Sequence, residues 1–210
     1  MPADVVHLVR HGEVDNPTKI LYGRLPGFGL SPLGHRMAAA AADSLAGRPI
    51  AALITSPLQR AEESAAPWAA RFELEPRLDD RVIEPMNRFQ GINVRRDLRS
   101  HPELWPYLLA PWRPSWGEAY REVVKRMRAA IGDASASVDS GEVVIVTHQL
   151  PIWMVALSVA GKPLPHDPRA RRCALSSITS VAVRDGRFVE VGYSEPAAEL
   201  AAGATDLGAV

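Results

Sequence analysis

The residues best suited to chemistry stand together at positions 10 to 12, where Arg10, His11 and Gly12 follow the apolar run VVHLV without a spacer. A guanidinium and an imidazole presented at the end of a buried strand can hold an anion and attack it. Two later segments repeat the arrangement. "ALITSPLQRAEESA" places Arg60 just beyond a strand-like run and a Ser-Pro step, and "EVVIVTHQ" ends on His148. Cleavage of a phosphomonoester needs cations around the non-bridging oxygens, an in-line nucleophile and an acid for the departing oxygen. His11 fits the nucleophile, because an imidazole with an ordinary pKa near ~6.5 keeps a lone pair at neutral pH and forms a labile phosphoramidate. Arg10, Arg60 and a protonated His148 would form the cradle, with Gly12 and the amide after His148 letting backbone N–H groups approach. Glu84, in "DDRVIEPMNRFQG", is the chosen acid, with Asp79 and Asp80 as alternatives. Burial would raise its pKa toward neutrality, as an acid that later activates water requires.

Other phosphate-cleaving chemistries lack their residues. Cys173 is the single cysteine, and Thr179 stands where a Cys-x5-Arg loop would need arginine. The sequence has no Asp-x-Asp-x-Thr/Val nucleophile, Walker loop or Gly-x-Ser-x-Gly elbow, and no His/Asp cluster with metal-site spacing. A mechanism without metal or cofactor is the expectation.

"LVRHGE" with Asn16, then "SPLQRAEESA", then "VIVTHQ", resemble in order the motifs of the histidine phosphatase superfamily, which contains the cofactor-dependent phosphoglycerate mutases and many phosphomonoesterases. The resemblance covers nearly the whole chain, and "LYGRLPGFGLSPLGHRMA" is similar to the family's segment leading into its first helix. It implies a phosphoglycerate mutase-like fold, a phosphohistidine at His11, and Arg10, Arg60 and His148 in the phosphate pocket. Glu84 departs from the family's usual spacing around its acid and is followed by Pro85. Asn16, Tyr22, Gly23 and Gln149 are candidate substrate contacts, although the first three would equally serve to shape their loop. The implied activity is phosphomonoester hydrolysis. A mutase is the alternative, as is a phospho-ligand binding module that has lost the acid.

These groups must be positioned by a scaffold. In 210 residues, 47% of them apolar, there is material for one domain with a sizeable core. Lys plus Arg and Asp plus Glu both total 24, so no global field attracts nucleic acid or anionic lipid, and any anion must be held locally. The expected ligand is a small phosphorylated metabolite. Lys19, Lys125 and Lys162 are the only lysines; the remaining cations are arginines, suited to bidentate phosphate capture. The N-terminal segment lacks the apolar core of a signal peptide, and no run approaches the ~18 apolar residues of a membrane span, so a cytoplasmic protein is expected. A homodimer is an option the sequence leaves open.

Strands are expected at Val5–Val9, 50–56 and 142–148, and helices after Ser31-Pro32, after Ser56-Pro57 and over 117–138. Two alternating runs around Asp185-Gly186 predict a hairpin. The pattern describes a three-layer α/β/α sandwich with a mostly parallel sheet and a C-terminal hairpin. Arg10-His11, Ser56-Pro57 and Thr147-His148 then share the rim of strand carboxyl ends where such sheets bind ligands. Residues 85–116 read as a lid-like insertion in which Trp105, Trp112 and Trp116 need burial and Arg88, Arg95, Arg96 and Arg99 form a solvated face or a second anion site. His7 and His35 are expected in packing or on a helix surface, and His101 and His166 in solvated loops. The Ala/Gly-rich tail 197–210 is expected to be flexible.

Overall fold

The computed structural model describes residues 3–108, 116–184 and 187–206. Its strands are β1 (Val5–Arg10), β2 (Ile50–Thr55), β3 (Arg77–Leu78), β4 (Glu142–Thr147), β5 (Ile178–Arg184) and β6 (Arg187–Ser194). Its α-helices are α1 (Pro32–Ser44), α2 (Gln59–Phe72), the one-turn α3 (Val94–Asp97), α4 (Tyr120–Ala136), α5 (Gln149–Val159) and the one-turn α6 (Ala198–Ala201). The strands form one sheet in the order β3-β2-β4-β1-β5-β6. β1, β2, β3 and β4 run parallel, β5 is antiparallel to β1, and β6 returns against β5. β5 and β6 therefore pair as the expected hairpin strands, and Asp185-Gly186, where the turn was expected, lies outside the described residues.

Side-chain alternation distributes the core between two layers. Val9, Leu53, Val144 and Val146 pack with Ala41, Ala42, Ala61, Ala65 and Trp68 of α1 and α2. Leu8, Ile54, Val143 and Ile145 face the opposite way, onto Met127 and Ile131 of α4 and Ile152 and Met154 of α5. All six residues of β4 are buried, which explains its continuous β-branched run.

Register fixes the rim. Arg10 lies opposite Thr147, and Thr55 opposite Val146, so the residues that follow these three strands emerge side by side. α1 begins as expected, with the Ser31 hydroxyl accepting from Gly34 N at 2.9 Å and Pro32 in the first turn. α2 does not begin at Ser56. It starts at Gln59 with no side-chain cap, because the N-cap position falls to Leu58; the Ser56 hydroxyl lies two residues earlier and faces His148.

Residues 88–92 pack against the loop preceding α1 and against Trp116. Leu21 and Gly91 exchange backbone bonds with Ile92 and Leu21 respectively, and Arg88 N donates to the Trp116 carbonyl at 2.7 Å. Phe89 is buried and its ring packs against that of Trp116 at 6.5 Å. Trp105, expected to be buried, is 51% exposed: its indole N–H caps the Leu98 carbonyl while much of the ring meets solvent. Trp112 lies outside the described residues. The segment expected to be flexible from 197 is folded as far as 206, since Ala197 is buried against Met37 and Leu175 and carries α6 with it. Residues 207–210 lie outside the described residues.

At the opposite end of β1, His7 is buried, with Nε2 2.9 Å from Glu142 Oε2 and Nδ1 2.8 Å from Ser180 Oγ, while Arg48 Nε donates to Glu142 Oε2 at 2.9 Å. Burial pulls the His7 pKa below 6.5 despite the carboxylate, and the Glu142 pKa is also lowered, with Arg48 and His7 overcoming burial. A group whose folded pKa is depressed stabilises the fold above its unfolded pKa and loses that contribution as pH falls through the folded value. Urea midpoints are therefore expected to decline from about pH 7 to about pH 5, with a shallower decline in His7→Gln than in the parent. Parallel profiles for the two proteins would remove His7 from the account.

Candidate active site

The three strand ends deliver Arg10, His11, Ser56, Arg60 and His148 into one buried cluster. Arg10 and Arg60 are each 1% exposed, His11 3% and His148 0%, and the His11 and His148 ring centres are 5.2 Å apart. His11 Nδ1 lies 2.8 Å from the Gly12 carbonyl. A carbonyl only accepts, so this nitrogen carries the proton and Nε2 keeps its lone pair. Burial, then Arg60 and Arg10, hold the His11 pKa well below 6.5, so the ring is neutral at neutral pH.

His148 departs from the sequence expectation. Burial first, then Arg60, His11, Arg126 and Arg10, push its pKa well below 6.5, so in the ligand-free site it is neutral and not the protonated member of a cradle. Its Nε2 is 2.7 Å from Ser56 Oγ, which accepts from Leu58 N at 3.4 Å and so has its own proton to donate to the ring. That assignment leaves the His148 proton on Nδ1, 3.8 Å from Glu84 Oε2. At that distance the two are neighbours without a hydrogen bond.

The guanidinium groups are fixed by their ends. Arg60 Nη2 donates to the Gly23 carbonyl at 2.8 Å, and its Cζ lies 4.8 Å from the centre of the Tyr22 ring. Arg10 Nη1 donates to the Cys173 carbonyl at 2.7 Å, and Nη1 and Nη2 grip Asp206 at 2.7 and 2.6 Å. Among the described residues, Arg10 Nε, Arg60 Nε and His148 Nδ1 are buried donors without a hydrogen-bond partner. Buried donors are seldom left so, and three in one cluster of cations and imidazoles describe a place prepared for oxygen acceptors.

Glu84 joins them at 2% exposure. Burial raises its pKa against the opposing pull of Arg60, Arg171, Arg10 and Arg126. Its backbone carbonyl accepts from Arg24 Nε at 2.5 Å, which anchors the turn before Pro85. Asp79 points elsewhere: the Arg81 guanidinium holds its carboxyl below the usual range and pairs with it at 2.7 Å. Asp80 opens a short turn after it. The buried carboxyl in the cluster is Glu84.

The remaining expected residues divide. Gly12 N donates to Ser64 Oγ at 3.1 Å, so this amide is occupied. A Cβ on Gly12 would stand 2.4 Å from the Gly34 carbonyl oxygen; the glycine lets the strand end pass the start of α1. Asn16 spends both ends of its amide on its loop, Nδ2 donating to the Ile20 carbonyl at 2.8 Å and Oδ1 accepting from Ile20 N at 3.3 Å. Gly23 adopts φ +42°, offers its carbonyl to Arg60 and keeps Tyr22, stacked on Phe28 at 5.4 Å, beside the guanidinium. Gln149 opens α5, which has no side-chain cap, and its Oε1 accepts from Arg171 Nη1 at 3.2 Å.

Several participants were not foreseen. Arg171 lines the Glu84 pocket, and its Nε donates to His166 Nε2 at 2.9 Å. His166, expected in a solvated loop, instead donates from Nδ1 to the Leu164 carbonyl and packs against Tyr120 at 5.5 Å. Asp206 had no local signal in an Ala/Gly-rich stretch. Arg96 is exposed and paired with Asp97, and Arg99 is exposed, whereas Arg95 lines a cavity with Lys19 and Asp206. Burial pushes the Cys173 thiol up to about 11, leaving it a protonated, unreactive group. Among the described residues no group of three or more His, Cys, Asp and Glu is arranged to hold a metal, and no helix is long and apolar enough to cross a membrane.

The model of the histidine phosphatase superfamily (branch 1) matches residues 6–196, which span every motif residue of this cluster. The chain is a histidine phosphatase superfamily member. A Mycobacterium tuberculosis relative, an uncharacterised protein, is 51% identical over 205 residues, covering 94% of this chain and all of its own length. A probable phosphoglycerate mutase of Yersinia enterocolitica is 26% identical over 204 residues, covering 90% of this chain and 89% of its own. Within the superfamily, a mycobacterial glucosyl-3-phosphoglycerate phosphatase superposes with a TM-score of 0.72 at 26% identity, over 90% of this chain and 97% of that one. Further structures of that phosphatase hold inorganic phosphate and vanadate.

The contact between Gly12 and Gly34 makes a prediction specific to this histidine phosphatase superfamily member. Gly12→Ala forces backbone against backbone and is expected to destabilise by about 1–3 kcal/mol in urea denaturation. An unchanged midpoint would show that the two segments separate freely.

Proposed function

We propose that this protein hydrolyses phosphomonoesters of small metabolites through a phosphohistidine at His11, without metal or cofactor. The observation that carries the reading is the neutral His11 ring, its Nε2 lone pair free, set among buried donors on Arg10, Arg60 and His148 that lack partners among the described residues. A phosphoryl group placed against them would have its non-bridging oxygens bound by Arg10 Nε, Arg60 Nε and His148 Nδ1 as charge moves onto them.

Two displacements complete the cycle. His11 Nε2 forms a bond to phosphorus as the ester P–O bond breaks, and the leaving oxygen takes the Glu84 proton. The phosphohistidine carries its positive charge on the ring, with Nδ1–H still donating to the Gly12 carbonyl. The Glu84 carboxylate then removes a proton from water as the water oxygen bonds to phosphorus, the N–P bond breaks, and His11 returns neutral with phosphate released. Burial raises the Glu84 pKa in the sense that lets it serve as acid first and base second. The same burial makes a bound dianion the natural source of a proton-holding state for His148, whose pKa would rise beside it.

Hydrolysis is preferred over the mutase reading on one observation. The side chain that the 197–206 segment sends into the site is the carboxylate of Asp206, which does not attract the second anionic group of a bisphosphorylated intermediate. Incubation with 3-phosphoglycerate and a trace of 2,3-bisphosphoglycerate is expected to release phosphate faster than it isomerises the ester. The reverse order would make the protein a mutase.

His11→Ala is expected to abolish turnover while leaving the fold intact, and rapid quenching of the parent should trap acid-labile phosphate on His11. Retention of more than a few per cent of activity would reassign the nucleophile. Glu84→Gln is expected to slow cleavage of alkyl phosphates by about 10² to 10⁴ while sparing p-nitrophenyl phosphate, whose phenolate leaves unaided. Equal losses on both substrates would give Glu84 a structural role only.

A further inference from the structure

Arg10 is a buried cation, and its counter-charge comes from 196 positions away. Asp206 takes the end of the guanidinium fork with two bonds of 2.7 and 2.6 Å, and the Cys173 carbonyl takes a third N–H. Burial alone would lower the Arg10 pKa, and the bonds and charge of Asp206 more than reverse this. A carboxylate bound bidentately to guanidinium has the geometry with which a phosphoryl group binds the same fork. In this structure that position is filled by the Asp206 carboxylate.

The anion also stands in the doorway. One cavity of about 220 Å³, lined by Asn16, Lys19 and Tyr22, and another of about 350 Å³, lined by Lys19, Leu21 and Arg95, both include Asp206 in their walls. His11 is 3% exposed, so a substrate phosphoryl group reaches it only if part of the cover moves. The Asp206 side chain, by contrast, is 40% exposed. The segment that carries it follows the single turn of α6 and is tied down by the Thr205 amide donating to Glu13 Oε1 at 2.5 Å. This is an element that can exchange with a ligand without disturbing the sheet.

We propose that Asp206 is an internal anion that latches the phosphate site shut and is displaced from Arg10 by the incoming phosphoryl group. The inference rests on the reading of the cluster as a phosphate site. Arg10 Nε and Arg60 Nε, unpartnered among the described residues, receive the phosphoryl oxygens first, and the guanidinium fork then trades carboxylate for phosphate. The latch makes the free site self-neutralised and raises the concentration of substrate or product needed to open it.

The test compares Asp206→Asn and Asp206→Ala with the parent, using orthophosphate as the probe in calorimetry and a phosphomonoester in turnover. Both variants are expected to bind orthophosphate about tenfold more tightly and to show a lower KM, because a competing charge-assisted pair is gone. Weaker orthophosphate binding in both variants would overturn the latch and make Asp206 a positioning residue for Arg10. Hydrogen exchange on the parent protein requires no variant to fold. Saturating orthophosphate is expected to accelerate exchange of the Thr205 amide, and unchanged or slower exchange would count against displacement. A parent without turnover, whose Thr205 amide still responds to orthophosphate, would remove the hydrolase reading and leave the latch standing.

Discussion

Everything at the rim follows from one difficulty: two guanidinium groups and two imidazoles share a space from which water is nearly excluded. Like charges in a poorly screened interior repel, and each buried charge has lost its hydration. The site meets this in two ways. The imidazoles are kept neutral, and the guanidinium groups are tethered at their far ends by the carbonyls of Gly23 and Cys173 and by the carboxylate of Asp206. What remains, among the described residues, is a set of donors at fixed positions without an acceptor, Arg10 Nε, Arg60 Nε and His148 Nδ1, and an oxyanion placed against them would satisfy what their burial leaves unmet.

The sheet exists in the form that this arrangement requires. β1 lies between β4 and β5, and β4 between β2 and β1, so Arg10-His11 and His148 leave adjacent strands and Ser56 the next one out. The residue after β2 is bound to the residue after β4 through the Ser56–His148 bond, which ties two strand ends together beyond their backbone ladder. Residues 85–87 and 116–118, with Leu21 and Gly23 of the loop before α1, line the side of the pocket where Glu84, Arg171 and Tyr120 meet. Positions on the sheet are thus fixed by register, whereas the walls around Glu84 are built from irregular backbone, where members of a fold family are free to differ.

The sequence revealed the parts whose logic is local. Apolar runs ending in Arg10-His11, Thr55-Ser56 and Thr147-His148 announce strands and their functional ends, and Ser31-Pro32 announces a capped helix that is there. It misled where a side chain served a distant partner. Ser56-Pro57 resembles Ser31-Pro32, yet the second serine faces His148 and α2 starts at Gln59 without a side-chain cap. His148 carried no sign that burial would keep it neutral, and Gly12 none that its amide would be taken by Ser64. Trp105 was assigned to the interior by its size, although an indole bonded through its N–H can lie on the surface. Asp206 was invisible for the plainest reason: an acid among alanines and glycines has meaning only through its contact, here made with a residue 196 positions away.

That contact has a bearing on how the molecule is made. Arg10 and His11 are synthesised well before their partners: β1 has no neighbour until β4 and β5 are made, and the Asp206 carboxylate follows Arg10 by 196 positions. Local helices can form meanwhile, whereas the central strand waits for partners more than a hundred residues downstream, the kind of pairing that folds slowly. A chain synthesised only as far as β6 has its sheet but lacks the Asp206 carboxylate that neutralises Arg10. The charge balance of the first strand is therefore completed only after the whole sheet has been made.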